Sequence, residues 1–445
     1  MSANSKLPGY PENQTNRRSA NIKKRTMNSF LTFCFCVSLS GFNPVAQKAF
    51  EWPAFHGADR TNKSAETGLM KEWPKDGPVL KWTTPGLGEG YSSVIVAGGL
   101  IYTSGMNEDQ TFVFCFDPNG NTVWKKPNGK TWSTTMSHAK TYTGSRSTPT
   151  YDKGVVYHLG EMGRLTAFNA KTGAEIWHRE LVQDFEAECP EYGYAESVLI
   201  DGDHLYVRPF GKKGVQVCLN KSNGALIWAN TEIQGTPGYN SMVINEFGGY
   251  RQLIGSMSGC YYGVDTQTGK LLWKVDVVNQ RELNNTDAIV FKDNVFISTG
   301  YGKGSMLVKL KASGSAIVPE TVWQSALMDN HHGGVILDNG YLYGAGSNTK
   351  GWFCLDFKTG NQLWKADGKG SVTFADGMLY LFDERGSMKL VKATPEKFEL
   401  SGEFKVPEGG KGMYWAHPVV CSGTLYIRHA DKLYAYDIKG KAAGS

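Results

Sequence analysis

Apolar strands and polar turns follow one another along nearly the whole chain in a recurring order. An apolar strand leads to a Gly/Asp turn, a strand containing Leu-Tyr or Val-Tyr, a further strand ending in Asp or Asn, a Gly turn and then Trp. Four copies keep identical spacing: Asn169, Gly173, Trp177; Asn220, Gly224, Trp228; Asp265, Gly269, Trp273; and Asp356, Gly360, Trp364. A shortened copy runs from Asp117 and Gly120 to Trp124, and a lengthened one from Lys311 and Gly314 to Trp323. The spacing describes a hairpin in which Asp or Asn bonds the turn amides, Gly supplies a positive φ, and Trp falls on the outgoing strand facing inward. Two such tryptophans would suit the cores of β-sandwiches. Eight anchors (Trp82, Trp124, Trp177, Trp228, Trp273, Trp323, Trp364 and Phe404), 40 to 53 residues apart, instead match four-stranded propeller blades.

The last two blades are degenerate. Residues 372–382, 388–393 and 398–406 make a seventh, with Phe404 in place of Trp and no turn glycine. Residues 417–421, 424–429 and 433–437 supply three strands of an eighth, and the missing outer strand is residues 79–82 at the other end of the propeller. The pattern therefore predicts an all-β, eight-bladed propeller of four-stranded antiparallel blades over residues 50–445. The N-terminal segment 50–90 closes its last blade, which leaves no free blade.

Composition changes this picture at the N-terminus. Arg17, Arg18, Lys23, Lys24 and Arg25 precede an apolar run from Phe30 to Phe42, the order of an export leader, with residues 1–49 as the leader region and a periplasmic or secreted mature protein. Without residues 1–46 the chain holds 41 bases and 41 acids, so no basic surface for nucleic acid or anionic membrane remains. No membrane span is expected after the leader, and a monomer is the expected state. Six cysteines follow the leader, of which Cys115, Cys218 and Cys354 fall at the same strand position of separate repeats; all six read as small buried hydrophobes.

The Asp-x-x-Thr-Gly-x-x-x-Trp hairpin, seen here from Asp265 to Trp273, resembles the tryptophan-docking motif of quinoprotein-like (PQQ-repeat, BamB-like) propellers. The resemblance covers essentially residues 50–445. Trp52-Pro53-Ala54-Phe55-His56-Gly57, the Asn330 to Gly334 segment and Trp415-Ala416-His417-Pro418 look like a short exported "PQQ-like" subgroup. Such families include both PQQ-dependent alcohol dehydrogenases and non-enzymatic scaffolds, so the resemblance implies fold and export rather than quinone chemistry. The adjacent-cysteine disulfide that covers the quinone in the dehydrogenases has no counterpart here, their calcium and catalytic-Asp constellation has no matching local motif, and no Cys-x-x-Cys-His haem site is present.

In a propeller the residues leading into each innermost strand gather on one face from eight places in the sequence. Aligned blades bring Arg146, Tyr194, Glu196, Tyr239, Asn284, His331, His332, Lys369, Trp415 and His417 to this funnel. Aromatic platforms ringed by hydrogen-bonding groups suit a flat polar ligand, and Arg146 and Lys369 favour a carboxylate on it. Each also has a structural reading: Arg146 and Glu196 neutralise one another, the histidines bond neighbouring backbone, and Tyr194 and Trp415 pack between blades. His331 and His332 are sequence neighbours that point to opposite faces, which disfavours a shared metal. Three functions stay open: a binding module for a small polar molecule, glycan or protein; a PQQ-dependent alcohol or sugar dehydrogenase, with Ca²⁺; and a polysaccharide lyase or hydrolase using His331, His332 or Tyr194 as proton acceptor.

Overall fold

The computed structural model describes residues 50–133, 140–314 and 316–440, so the leader assigned to residues 1–49 lies outside them. Eight antiparallel sheets of four strands succeed one another in sequence order, the first strand of each lining a central channel. Blade 1 comprises Ile95–Ala97, Leu100–Asn107, Gln110–Phe116 and Thr122–Lys130. Blades 2 to 7 occupy residues 150–180, 199–230, 243–276, 289–325, 335–366 and 370–405. Blade 8 joins the two ends of the propeller: Val419–Cys421, Thr424–His429 and Lys432–Asp437 are completed on the outside by Val79–Thr84.

The anchors explain how the blades adhere. In all eight outer strands one residue is skipped in the register; in seven blades it immediately precedes the anchoring Trp, whereas in blade 7 it is Ser401, so that Gly402 takes the Trp register position and the anchor Phe404 sits two residues further on, against Gly77. A bulge there increases the local twist and re-aims the next side chain. The tryptophans consequently face sideways, toward the following blade, rather than inward. Trp124 donates from Nε1 to Ala170 O of blade 2, Trp177 to Lys221 O of blade 3, Trp228 to Thr266 O of blade 4 and Trp82 to Pro118 O of blade 1. The turn glycine of the next blade lies flat beneath the indole: a Cβ on Gly173 would come within 2.7 Å of Trp124.

Trp273 is the exception, and its register partner shows why. Cys115, Cys218 and Cys354 stand opposite Trp124, Trp228 and Trp364, whereas Gly263 stands opposite Trp273. With no side chain beneath it, the indole folds back onto its own sheet and bonds Gln252 Oε1 at 2.5 Å. The six cysteines that follow the leader are all free thiols, five of them buried and Cys189 half-buried.

A belt of hydrogen bonds ties the inner strands around the channel. Ser93 N donates to Thr148 Oγ1, Thr148 N to Ser197 Oγ, Ser197 N to Ser241 Oγ, and Ser241 N to Asp287 Oδ1, linking blades 1 to 5 in turn. The sequence pattern did not foresee the strap formed by Trp52–Lys63, which crosses the channel and touches all eight blades. Trp52 pairs with Val96, Pro53 O accepts from Tyr151 N, and Arg60 donates to carbonyls of Ser197, Val198 and Met242. His56 reaches Asp287 and His417, Asn62 reaches Val372 O, and Lys63 reaches Asp338. Lys63–Ser64 then adds a fifth, parallel strand to blade 7.

Candidate functional site

The lead-ins to the inner strands converge on one mouth of the channel, opposite the strap, and their side chains sort into three groups. The first walls the mouth. Trp415 is its hub: its ring stacks on Tyr142 at 5.2 Å and meets Tyr91 at 5.1 Å and His332 at 4.7 Å. His331 continues the wall, bonding Tyr301 Oη through Nε2 at 2.8 Å. On the other side Arg146 lies over the rings of Trp132 and Tyr91, at 5.0 and 6.0 Å, and Trp132 leads on to Tyr192 and Tyr239. Most of these side chains are half-buried, so the wall is partly accessible to solvent.

The second group is electrostatic and centres on Glu384, which follows the second strand of blade 7. Its Oε1 accepts from Trp415 Nε1 at 3.0 Å and lies 3.2 Å from Lys369 Nζ and 3.4 Å from His332 Nε2. One carboxylate therefore orients the stacking surface and neutralises the lysine. Burial and the nearby Lys369 push His331 down to about 4, and burial with the neighbouring histidines and Lys369 pushes His332 well below its ordinary range. Both imidazoles are neutral at neutral pH and can accept as well as donate.

The third group is the floor. His417 donates from Nε2 to His332 O at 2.7 Å, because a carbonyl can only accept, and burial pushes the ring down to about 3. Its Nδ1 then accepts from His56 Nε2 at 3.0 Å, which turns His56 Nδ1 toward Asp287 Oδ2 at 3.2 Å.

Of the ten funnel candidates, the structure brings Arg146, Tyr239, His331, His332, Lys369 and Trp415 to the mouth and sets His417 in the floor. Tyr194 is buried between blades 2 and 3 and donates to Pro209 O at 2.7 Å. Glu196 is buried against Arg208 at 3.2 Å, not against Arg146. Asn284 turns its amide to the carbonyls of Met257 and Val277. Tyr194 and Glu196 thus brace blade 3, and Asn284 ties the lead-in of blade 5 to blade 4. Glu384, Tyr91, Trp132, Tyr142, Tyr192 and Tyr301 belong to the wall although they were not among the candidates; Tyr91 and Tyr192 lie in lead-ins to inner strands, and the others on loops outside them.

The family described as outer membrane protein assembly factor BamB (PQQ_2) matches residues 109–366, more than half of the chain. Among curated relatives, the outer membrane protein assembly factor BamB of Shewanella oneidensis is 21% identical over 277 residues, 57% of this chain and 65% of that protein. The quinoprotein alcohol dehydrogenase PedH of Pseudomonas putida is 23% identical over 306 residues, 64% of this chain and 46% of that protein. The chain thus spans less than two thirds of the length of these relatives. The solved quinohemoprotein alcohol dehydrogenase of Comamonas testosteroni superposes with a TM-score of 0.61 at 13% identity, over 88% of this chain and 81% of that one, a likeness of fold. Among the described residues no helix is long and apolar enough to cross a membrane. A propeller whose docked tryptophans, turn glycines and matching central blades all follow this pattern belongs to the PQQ_2 family.

Proposed function

We propose that this chain is an exported binding propeller, which engages a small polar ligand, glycan or protein segment at the funnel mouth without chemistry of its own. The observation that carries the reading is the continuous wall of half-buried rings around Trp415, fixed in orientation by Glu384 and closed beneath by the strap. Rigid aromatic surfaces with polar edges are what stacking ligands need, and a floor tied to all eight blades leaves the mouth as the approach. The leader-like N-terminus and the relative named for outer-membrane assembly support export.

The quinone reading fits the donor set less well. A calcium ion takes about six to eight oxygen ligands, whereas the acids near the channel are dispersed among separate partners: Glu384 with Trp415 and Lys369, Glu196 with Arg208, Asp287 with Ser241, and Glu161 with Thr111, although one oxygen each of Glu161, Glu196 and Asp287 has no donor among the described residues. No group of three or more His, Cys, Asp or Glu among the described residues is placed to hold a metal. Nor is there a cysteine pair to cover a quinone.

The test is a thermal-shift screen of wild type and Trp415→Ala against neutral and acidic oligosaccharides, extended peptides, and PQQ with Ca²⁺. A ligand present at one hundred times its Kd stabilises the folded protein by about 2.7 kcal/mol. The reading expects at least one hit that vanishes in Trp415→Ala. Hits that survive the substitution, or a silent panel, would reject the funnel as the binding site.

A further inference from the structure

The cations near the channel differ in how they are neutralised. Lys369 has Glu384 and Arg208 has Glu196. Arg60 and Arg428 have no carboxylate, but backbone carbonyls saturate them: Arg60 reaches three, and the fully buried Arg428 reaches Ser92, Ser104, Gly88 and Ala430. Arg146 is left half-buried at the mouth with only two carbonyl partners, Tyr142 O at 2.5 Å and Gly144 O at 3.5 Å, and Arg281, exposed beside Tyr192 and Tyr301, has no ion pair among the described residues either. No carboxylate among the described residues lies within ion-pair distance of Arg146. The acid it senses most, Glu161, lies beyond ion-pair distance and gives one oxygen to Thr111; burial pushes its carboxyl up from its ordinary range.

A second, independent observation concerns acceptors. Asn285 Oδ1, in the lead-in to blade 5, is buried without a donor, while its neighbour Asn284 takes the Tyr239 amide on the same side of the channel. The mouth thus presents a cation, Arg146, beside the rings of Tyr91 and Trp415, and the lead-in to blade 5, next to Tyr239 of the wall, carries an acceptor without a donor. A quinone brings rings and anions but offers mostly acceptors.

We propose that the funnel's ligand is an acidic saccharide, a pyranose bearing a carboxylate or sulfate that sits on Arg146 while the sugar face lies against Trp415. Tyr91 joins the two subsites, touching Arg146 on one side and Trp415 on the other. The proposal rests on the reading of the funnel as a ligand site, and the experiment separates the two. Isothermal titration of the whole propeller uses tetragalacturonate, a sulfated galactose tetrasaccharide, neutral galactotetraose and PQQ.

An acidic saccharide should bind at least about tenfold tighter than its neutral counterpart, weaken as salt rises, and lose that tenfold in Arg146→Gln. Arg146→Lys, which keeps the charge, should retain part of it, and near-ultraviolet circular dichroism checks that both variants fold. The response to carboxylate or sulfate names the anion. Equal affinity for acidic and neutral sugars, both lost in Trp415→Ala, would overturn the acidic assignment and leave the ligand site standing. Binding of PQQ alone would overturn the saccharide. Silence from all four would overturn both.

Discussion

Replacing Gly173 by Ala perturbs the docking of one tryptophan on the next blade and little else. Gly173 has φ +67°, and an added Cβ would meet Trp124 Cδ2 at 2.7 Å; Gly202 has φ +57° and would meet nothing within 4 Å. Each substitution costs about 1 kcal/mol for placing an L side chain in the left-handed region. At Gly173 the indole must also shift, at about 1–3 kcal/mol for overpacking a filled contact. The bond from Trp124 Nε1 to Ala170 O, 2.9 Å in the native protein, goes with it at about 1 kcal/mol. Gly202→Ala should therefore cost about 1 kcal/mol and Gly173→Ala about 3 to 5. Urea unfolding followed by circular dichroism reads the difference, provided the slopes match. In a Trp124→Ala background the two substitutions should cost the same, since the ring that Gly173 accommodates is gone. Equal costs in the native background would refute tryptophan docking as the cement between blades.

Three further outcomes follow from the same contacts. His158 is fully buried against Asn128, and burial pushes it down to about 4, while an unfolded chain titrates near the ordinary value of about 6.5. Its contribution is whole above that ordinary value and is lost as pH falls toward 4, with a slope of up to about 1.4 kcal/mol per pH unit; His158→Gln should flatten the urea midpoint over that window. Arg60→Met removes the strap's hold on blades 3 and 4 and should cost about 3 kcal/mol, with limited proteolysis cutting near Gly57 to Ser64, where wild type resists. In a protein beginning at Phe50, thiol titration under native conditions should label Cys189 alone, and slowly, since burial and Glu161 push its thiol up to about 11. Rapid labelling of several thiols would contradict the buried placement of the other five.

The repeat was legible because its signal is local. Asp356, Gly360 and Trp364 lie within one hairpin, so each copy declares itself, and the orphan strand at Trp82 finds its place because blade 8 lacks an outer strand. The strap was not legible, because Trp52 to Lys63 repeats nothing and its partners, from Val96 to Phe374, are set by the closed ring. The site was half legible for the same reason. Alignment places Arg146, His331, His332, Lys369 and Trp415 at the mouth, since all precede an inner strand. It cannot say which way a side chain turns there: Glu196 turns into its own blade to meet Arg208, and Asn284 turns to Met257 O of the preceding blade. Glu384 escaped notice because it belongs to a turn after the second strand, where no repeat signal marks it, yet it organises Trp415, His332 and Lys369.

The central claim, that ligand binds at the mouth above the closed floor, is tested most directly by hydrogen–deuterium exchange with the tightest-binding saccharide from the titrations. The account predicts slowed exchange at Tyr142 to Ser147, at Asn330 to His332, and from Glu384 through the Trp415 loop, with the outer strands of all blades unchanged. Protection confined to the outer strands, or to the strap face around Trp52 to Asn62, would contradict it.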